Sequence, residues 1–488
     1  MSAITGIVGK TVNKEQLNEM LKKIRHRGPD RFHILEIPNG GAAAGELTLS
    51  PRSTPALSGE EMPVVLLDGE IYNSLPEDTS NVEYIRRLYV KEGKDCFSRL
   101  DGSFSCAVID EEETILARDA VGARPLIYRQ ENGFLCFASE AKSLLNHVSR
   151  VHELEPGFLF STREGLKSFE PYDPPVPGFD TPEEAAGILK DILFKAIRKR
   201  MEDGAVKGVS LSGGLDSSII AAVAKSIDPD IKLFSTTIKR YPSKDIKYAR
   251  LMADYLGLEH HVYEITDEDI VSFIPDAVWF METFDEDCIS GAIANFYTSK
   301  MISDFTHCVL VGEGADELFG GYFRELKNIP DPKEKERIAK KLVQIAYNTA
   351  LRRLDRSWFA NSVSYRTPFL DPEVVGLSNR IPMNLKVRYD EEEARDVEKW
   401  ILRRAMQKWL PPEIAARPKL RFAGGTGVDD LMDELTAGNV SQDEFQKNPK
   451  TESGLLLNSP KELHYYRLFR DKYPKDYEEL VVRWDPFK

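Results

Sequence analysis

Ser212-Gly213-Gly214-Leu215-Asp216-Ser217-Ser218 is the stretch that decides the fold. Before it, Gly208 to Leu211 reads as a short apolar strand, and after it Ser217 to Lys225 reads as a helix. Two glycines let the backbone close on an anion, serine hydroxyls add donors, and the helix start presents free N–H groups and a positive dipole end. Pyrophosphate needs these features, and Asp216 adds a hard oxygen ligand for Mg2+ bridging the phosphates. Taken alone, the loop also fits a plain glycine turn in an α/β protein. Its spacing does not match GxxxxGK[ST], which argues against kinase-like transfer of a γ-phosphoryl group.

Working outward, strands alternate with helices. Ile231 to Ile238 is a strand, Tyr248 to Leu256 a helix, and His261 to Ile265 and Cys308 to Val311 are further strands. This alternation predicts a parallel, doubly wound sheet, with mainly helical chain after Tyr322. The last of those strands runs into Gly312-Glu313-Gly314-Ala315-Asp316-Glu317-Leu318-Phe319-Gly320-Gly321-Tyr322. Acids among glycines at the carboxyl end of a strand sit where open α/β sheets bind ligands. Asp316 is the candidate second Mg2+ ligand and Glu313 a candidate base. The competing reading is a solvated acidic loop, which the apolar Leu318 and Phe319 weigh against. A third stretch, Ala416-Arg417-Pro418-Lys419-Leu420-Arg421-Phe422, offers cations to developing negative charge, although such clusters also decorate surfaces.

The first third has another character. Short strands such as Pro63 to Gly69, Phe104 to Asp110 and Glu113 to Arg118 follow a helix over Lys14 to Lys23, as in an α+β domain of packed antiparallel sheets. Proline-rich Glu170 to Asp180 reads as a linker, and Thr181-Pro182-Glu183-Glu184 as a capped helix start. Two domains follow, at about 1–170 and 180–488. A net charge of -14 argues against nucleic acid as the main partner, and no apolar run is long enough to span a membrane. Five cysteines with no CxxC pair point to reduced thiols in the cytoplasm rather than to disulfides or zinc.

Together the motifs resemble the asparagine synthetase family, of which β-lactam synthetases are relatives. The resemblance spans nearly the whole chain and includes Arg25-His-Arg-Gly-Pro-Asp30, Asp68-Gly-Glu-Ile-Tyr-Asn73, Arg118-Asp-Ala-Val-Gly122, Ala138-Ser-Glu-Ala-Lys142, Gly257-Leu-Glu-His-His261 and Arg366-Thr-Pro-Phe-Leu-Asp371. It implies an Ntn-hydrolase-like α+β amino-terminal domain. It also implies an α/β carboxyl-terminal synthetase domain with a parallel sheet and a PP-loop, similar to adenine nucleotide α-hydrolases. In such proteins ATP activates a small-molecule carboxylate, aspartate by default, as its adenylate, and ammonia or another amine then attacks. By resemblance Ser212, Gly213, Gly214, Leu215, Asp216, Ser217 and Ser218 hold the pyrophosphate, and Asp216 and Asp316 the magnesium. Leu211, Ile238 and Gly312 line the nucleotide site, and Arg417 lies beside it. Glu313 matches the family's glutamate that deprotonates the amine, and Lys419 its lysine at the pentavalent adenylation centre. A homodimer is also expected from the resemblance.

The amino-terminal domain departs from this pattern. The family's glutaminases carry a Cys directly after the initiator Met, with the free α-amino group as its base. Here Thr5 fills that slot behind Met1 to Ile4. Glu46 replaces the arginine that binds the glutamine carboxylate, Asp68 the oxyanion-hole asparagine, and Asn81 the aspartate that recognises the amino group. The four changes predict loss of glutamine hydrolysis; the competing possibility is a Thr5 nucleophile unmasked by cleavage. In the synthetase half Val311 replaces a serine and Ser364 a glutamate; β-lactam synthetases pair that glutamate with a tyrosine at the Glu313 position, and the lack of both partners disfavours β-lactam closure. Beside the ammonia-using ligase stand two other readings: an amidoligase acting on another acid or amine, and a non-catalytic regulatory or scaffold homologue.

Overall fold

A computed structural model describes residues 2–49, 55–76, 78–322, 329, 331–390, 395–418 and 428–483. Two antiparallel sheets form the first part of the chain. In the first, strands run in the order Arg31–Ile37, Gly40–Glu46, Ser2–Val8, Phe134–Ala138, Ile127–Glu131 and His152–Glu153. In the second the order is Gly165–Ser168, Phe158–Ser161, Thr114–Arg118, Gly102–Ile109 and Val64–Ile71. The facing surfaces share one apolar core that includes Ile4, Ala44, Leu66, Ala107 and Phe137. Helix Lys14–Lys22 covers the outside of the first sheet through Leu17, Met20 and Leu21. Helix Asn81–Glu92 covers the second through Val82, Ile85 and Tyr89. The layers therefore run helix, sheet, sheet, helix, each sheet burying both faces.

The chain re-enters regular structure at helix Pro182–Lys199, where Thr181 and Glu184 form a reciprocal capping box. A five-stranded parallel sheet follows, in the order His260–Ile265, Lys232–Ile238, Gly208–Ser210, Cys308–Leu310 and Ser364–Arg366. The strand order reverses between Gly208–Ser210 and Cys308–Leu310. In open α/β sheets such a switch point leaves a crevice at the carboxyl edge, where ligands bind. After Tyr322 the described chain is mainly helical, with one hairpin, Val387–Asp390 with Arg395–Glu398, that its sequence pattern did not announce. No helix among the described residues is long and apolar enough to cross a membrane.

The two parts meet over a buried field of charge. Arg27 donates to Asp355 (2.6 and 3.2 Å), and Arg124 reaches Asp355 (3.3 Å) and the Tyr365 carbonyl (3.2 Å). The Glu282 carboxylate accepts from the backbone N–H groups of Ala141 (3.1 Å) and Lys142 (2.8 Å) and from Arg356 (3.1 Å). Arg366 joins Glu70 of the first part to Asp203 of the second. Burial alone would raise the acids, but Arg27 holds Asp355 below its ordinary value of 3.8.

Candidate active site

The crevice is built from the two loops read in the sequence. Leu211 is fully buried and its N–H donates to the Phe234 carbonyl (2.8 Å), which pins the loop to the sheet. Ser217 Oγ accepts from the Ser212 N–H (3.1 Å) and lies 3.0 Å from Ser212 Oγ. Gly213 has φ +77°, and a Cβ there would stand 2.4 Å from the Asp245 carbonyl, so only glycine makes this turn. Helix Leu215–Ile227 starts from Gly214, which brings no side-chain cap, so its first N–H groups point into the crevice. Ser218 Oγ and Asp216 Oδ1 are buried and have no hydrogen-bond partner among the described residues. Across the crevice Gly312 presses on this helix: a Cβ would come within 3.0 Å of the Ser217 nitrogen and 3.1 Å of Asp216 Cβ.

Asp216 and Asp316 face one cation. Lys399 Nζ lies 2.6 Å from Asp216 Oδ2 and also contacts Asp316, with its side chain 1% exposed. It sits in the left-handed region (φ 56°) immediately before helix Trp400–Met406. Sequence reading missed Lys399. Its signal was a lysine at a helix start, where the dipole favours acids. The lone Oδ1 of Asp216 and the carboxylate of Asp316 opposite are hard oxygen donors that would suit Mg2+ together with phosphate oxygens, and Lys399 marks the place as one for positive charge. Such an ion would neutralise charge on the phosphates of a bound nucleotide.

Arg417 lies beside the loop, but both ends of its fork are engaged. Nη1 donates to the Gly213 carbonyl (2.5 Å), Nη2 pairs with Asp245, and the guanidinium lies 4.1 Å from the Tyr248 ring centre. It therefore braces the loop from behind. Ile238 is buried at the end of its strand. Lys419 lies outside the described residues.

Glu313 borders a small cavity with Gly314, Val343 and Leu370. Burial works against the Arg353 guanidinium, yet Asp287 and Glu313 hold it above its ordinary value. Glu317, not singled out in the sequence, accepts from the Tyr322 hydroxyl (3.0 Å). Its carboxyl is pushed up to about 7 by burial and then by Glu313 and Asp316.

The amino-terminal positions lie together only in part. Thr5 is fully buried in the middle of a strand, paired with Ala43 on one side and Ala138 on the other. Its hydroxyl donates to the Phe137 carbonyl (3.1 Å) and accepts from Ser143 Oγ (3.0 Å). Ser2 to Ile4 continue the strand, and Ser2 pairs with Glu46. Glu46 accepts from the Ala56 N–H (2.9 Å) and contacts His33 (2.9 Å). Asp68 Oδ2 accepts from Arg27 (2.8 Å) and Ser139 Oγ (2.9 Å). Asn81 opens its helix, and among the described residues no hydrogen bond joins it to the other three.

Stacked antiparallel sheets, then a parallel sheet with a glycine–aspartate loop at its switch point, define a two-domain ligase of the amidotransferase type. The asparagine synthase family model matches residues 189–342 and 331–464, and a glutamine amidotransferase domain model matches residues 1–163. The chain belongs to the asparagine synthase family, whose members are ATP-dependent carbon–nitrogen ligases. It is 30% identical to a probable glutamine-hydrolysing asparagine synthetase of Dictyostelium discoideum, over 99% of this chain and 96% of the relative. It is 31% identical to the glutamine-hydrolysing asparagine synthetase of Zea mays, over 99% of this chain and 88% of the relative.

Proposed function

We propose that this chain joins ammonia from solution to a small carboxylic acid, aspartate first among candidates, with ATP and Mg2+, and does not hydrolyse glutamine. One observation carries the reading: Asp216 and Asp316 converge on one cation position at the sheet edge, beside the Ser212 to Ser218 loop. There the loop N–H groups and hydroxyls hold the departing pyrophosphate while the substrate carboxylate attacks the α-phosphorus, with Lys419 stabilising the pentavalent centre. Ammonia then attacks the acyl carbon. The carbon–oxygen bond to AMP breaks, and Glu313 takes the proton the nitrogen sheds. Residues 1–170 act as a packing partner and residues 180–488 as the ligase, in a cytoplasmic homodimer. Light scattering at 55.2 kDa would reject the dimer.

Loss of the glutaminase is supported by Thr5, whose backbone nitrogen is a strand amide rather than a free amine. A second acid class is favoured by Val311, buried where a serine is usual, and by the buried Ser364 Oγ, which has no hydrogen-bond partner among the described residues. Exchange of labelled pyrophosphate into ATP, run with aspartate and then a panel of acids, tests the reading. Amide formation is then compared with ammonium and with glutamine as nitrogen source. Glutamate released from glutamine in step with amide would overturn the nitrogen assignment. No exchange with any acid would return the chain to a non-catalytic role.

A further inference from the structure

Nitrogen must reach Glu313 by some path, and the amino-terminal positions are not arranged to release it from glutamine. Thr5 spends its hydroxyl inside the sheet, and Asp68 is held between Arg27 and Ser139. Among the described residues one cavity borders Glu313, and two others adjoin that cavity. The inner one reaches Glu313 behind an apolar wall that includes Val121, Val343, Ala350 and Leu370, and has room for a group about the size of one water molecule. The outer one shares Val343 and Glu317 with it and continues between Glu336, Lys340 and Lys386. Lys340 and Glu336 side chains are 64% and 60% exposed, so this cavity opens to solvent. The third meets the inner one at Leu351, but its walls carry Arg118, Arg352 and Arg356, exposed by only 1%, 5% and 2%. Its walls also carry Glu153 and Asp355, so paired charge rather than apolar surface surrounds it.

We propose that the nitrogen nucleophile reaches Glu313 from solvent through the outer and inner cavities, past Val343, and that the inner cavity admits ammonia but not larger amines. This rests on the ammonia-using reading above. An ammonium ion loses its hydration at great cost in an apolar chamber, whereas neutral ammonia does not. The species that crosses is therefore the NH3 in equilibrium with ammonium outside, its proton left with water. Its lone pair forms the new carbon–nitrogen bond as the bond to AMP breaks.

The test uses the full chain with ATP, Mg2+ and an acid that supports pyrophosphate exchange, with ammonium chloride or methylammonium chloride as nitrogen source. The parent should form amide from ammonium and none from methylamine. Val343→Trp should raise the KM for ammonium by roughly tenfold or more, while exchange persists as proof of a folded ligase site. An unchanged KM in an exchange-competent Val343→Trp overturns the route and leaves the ligase reading standing. If Val343→Trp loses exchange, Val343→Ala decides. Formation of the N-methyl amide supports the route, and its absence overturns it. A parent that makes no amide from ammonium removes the ligase reading and the route together.

Discussion

Lys399 Nζ lies 2.6 Å from Asp216 Oδ2 and reaches Asp316 with the same ammonium group. Two carboxylates contributed by separate loops are thus held by one buried cation. Deleting one partner of a buried pair leaves the others uncompensated, at a cost of about 3 kcal/mol or more. Lys399→Met should therefore lower the melting temperature without nucleotide, and ATP with Mg2+ should recover more stability in the variant than in the parent. Calorimetry with and without Mg2+ measures both. An unchanged melting temperature would mean that the lysine does not hold the carboxylates.

Gly312 is the contact through which the two loops meet. Gly312→Ala puts a methyl group 3.0 Å from the Ser217 nitrogen and 3.1 Å from Asp216 Cβ, so the loops must part by a few tenths of an ångström. Misplacement on this scale is expected to cost on the order of tenfold in pyrophosphate exchange, with little change in stability. Exchange at the parent rate would show that the crevice tolerates the wider spacing.

Asp285 makes stability depend on pH. It caps helix Glu286–Ser303 by accepting from the Cys288 N–H (2.9 Å). Burial, then Asp287 and Glu462, push its carboxyl up to about 7 from 3.8. Between those values the native state binds more protons than the unfolded chain, so this group's contribution falls as pH rises through that window. Asp285→Asn keeps a capping oxygen and removes the titration. The variant should gain stability over the parent at pH 8 and keep clearly less of that advantage at pH 5. Urea unfolding at the two pH values decides, and a difference independent of pH would exclude the mechanism.

In the proposed mechanism Glu313 and Lys419 serve different half-reactions. Lys419→Met should abolish exchange of pyrophosphate into ATP even without amine. Glu313→Gln should keep part of the exchange and lose most of the amide, each by on the order of 10²–10⁴-fold in the affected step. Full exchange in Lys419→Met would remove that residue from the mechanism. Equal loss of both activities in Glu313→Gln would move the glutamate into adenylation.

Much of this architecture was legible because its causes are local. The Ser212 to Ser218 loop, the Thr181–Glu184 capping box and the alternation of strands with helices are each written within a few residues. The helix after the loop begins at Leu215 rather than Ser217, because the loop's last residues serve both elements. What escaped was assembled across the chain. Arg27 and Asp355 are separated by 328 positions, and no periodicity announces that they meet. Lys399 reads as one more basic residue until the fold carries it between two aspartates. Arg417 reads as a nucleotide-binding residue in the sequence, yet its guanidinium is turned to Gly213 and Asp245, a direction no spacing encodes.

The buried charges between the two parts give the first part a task that needs no chemistry. Glu282 rests on the backbone amides of Ala141 and Lys142, and Asp355 on Arg27 and Arg124. Strip the first part away and both carboxylates face water or one another with half their donors gone. Toward the second part it behaves as a folded counterion. That task rests on the charged groups and amides at the seam and asks for no nucleophile at Thr5.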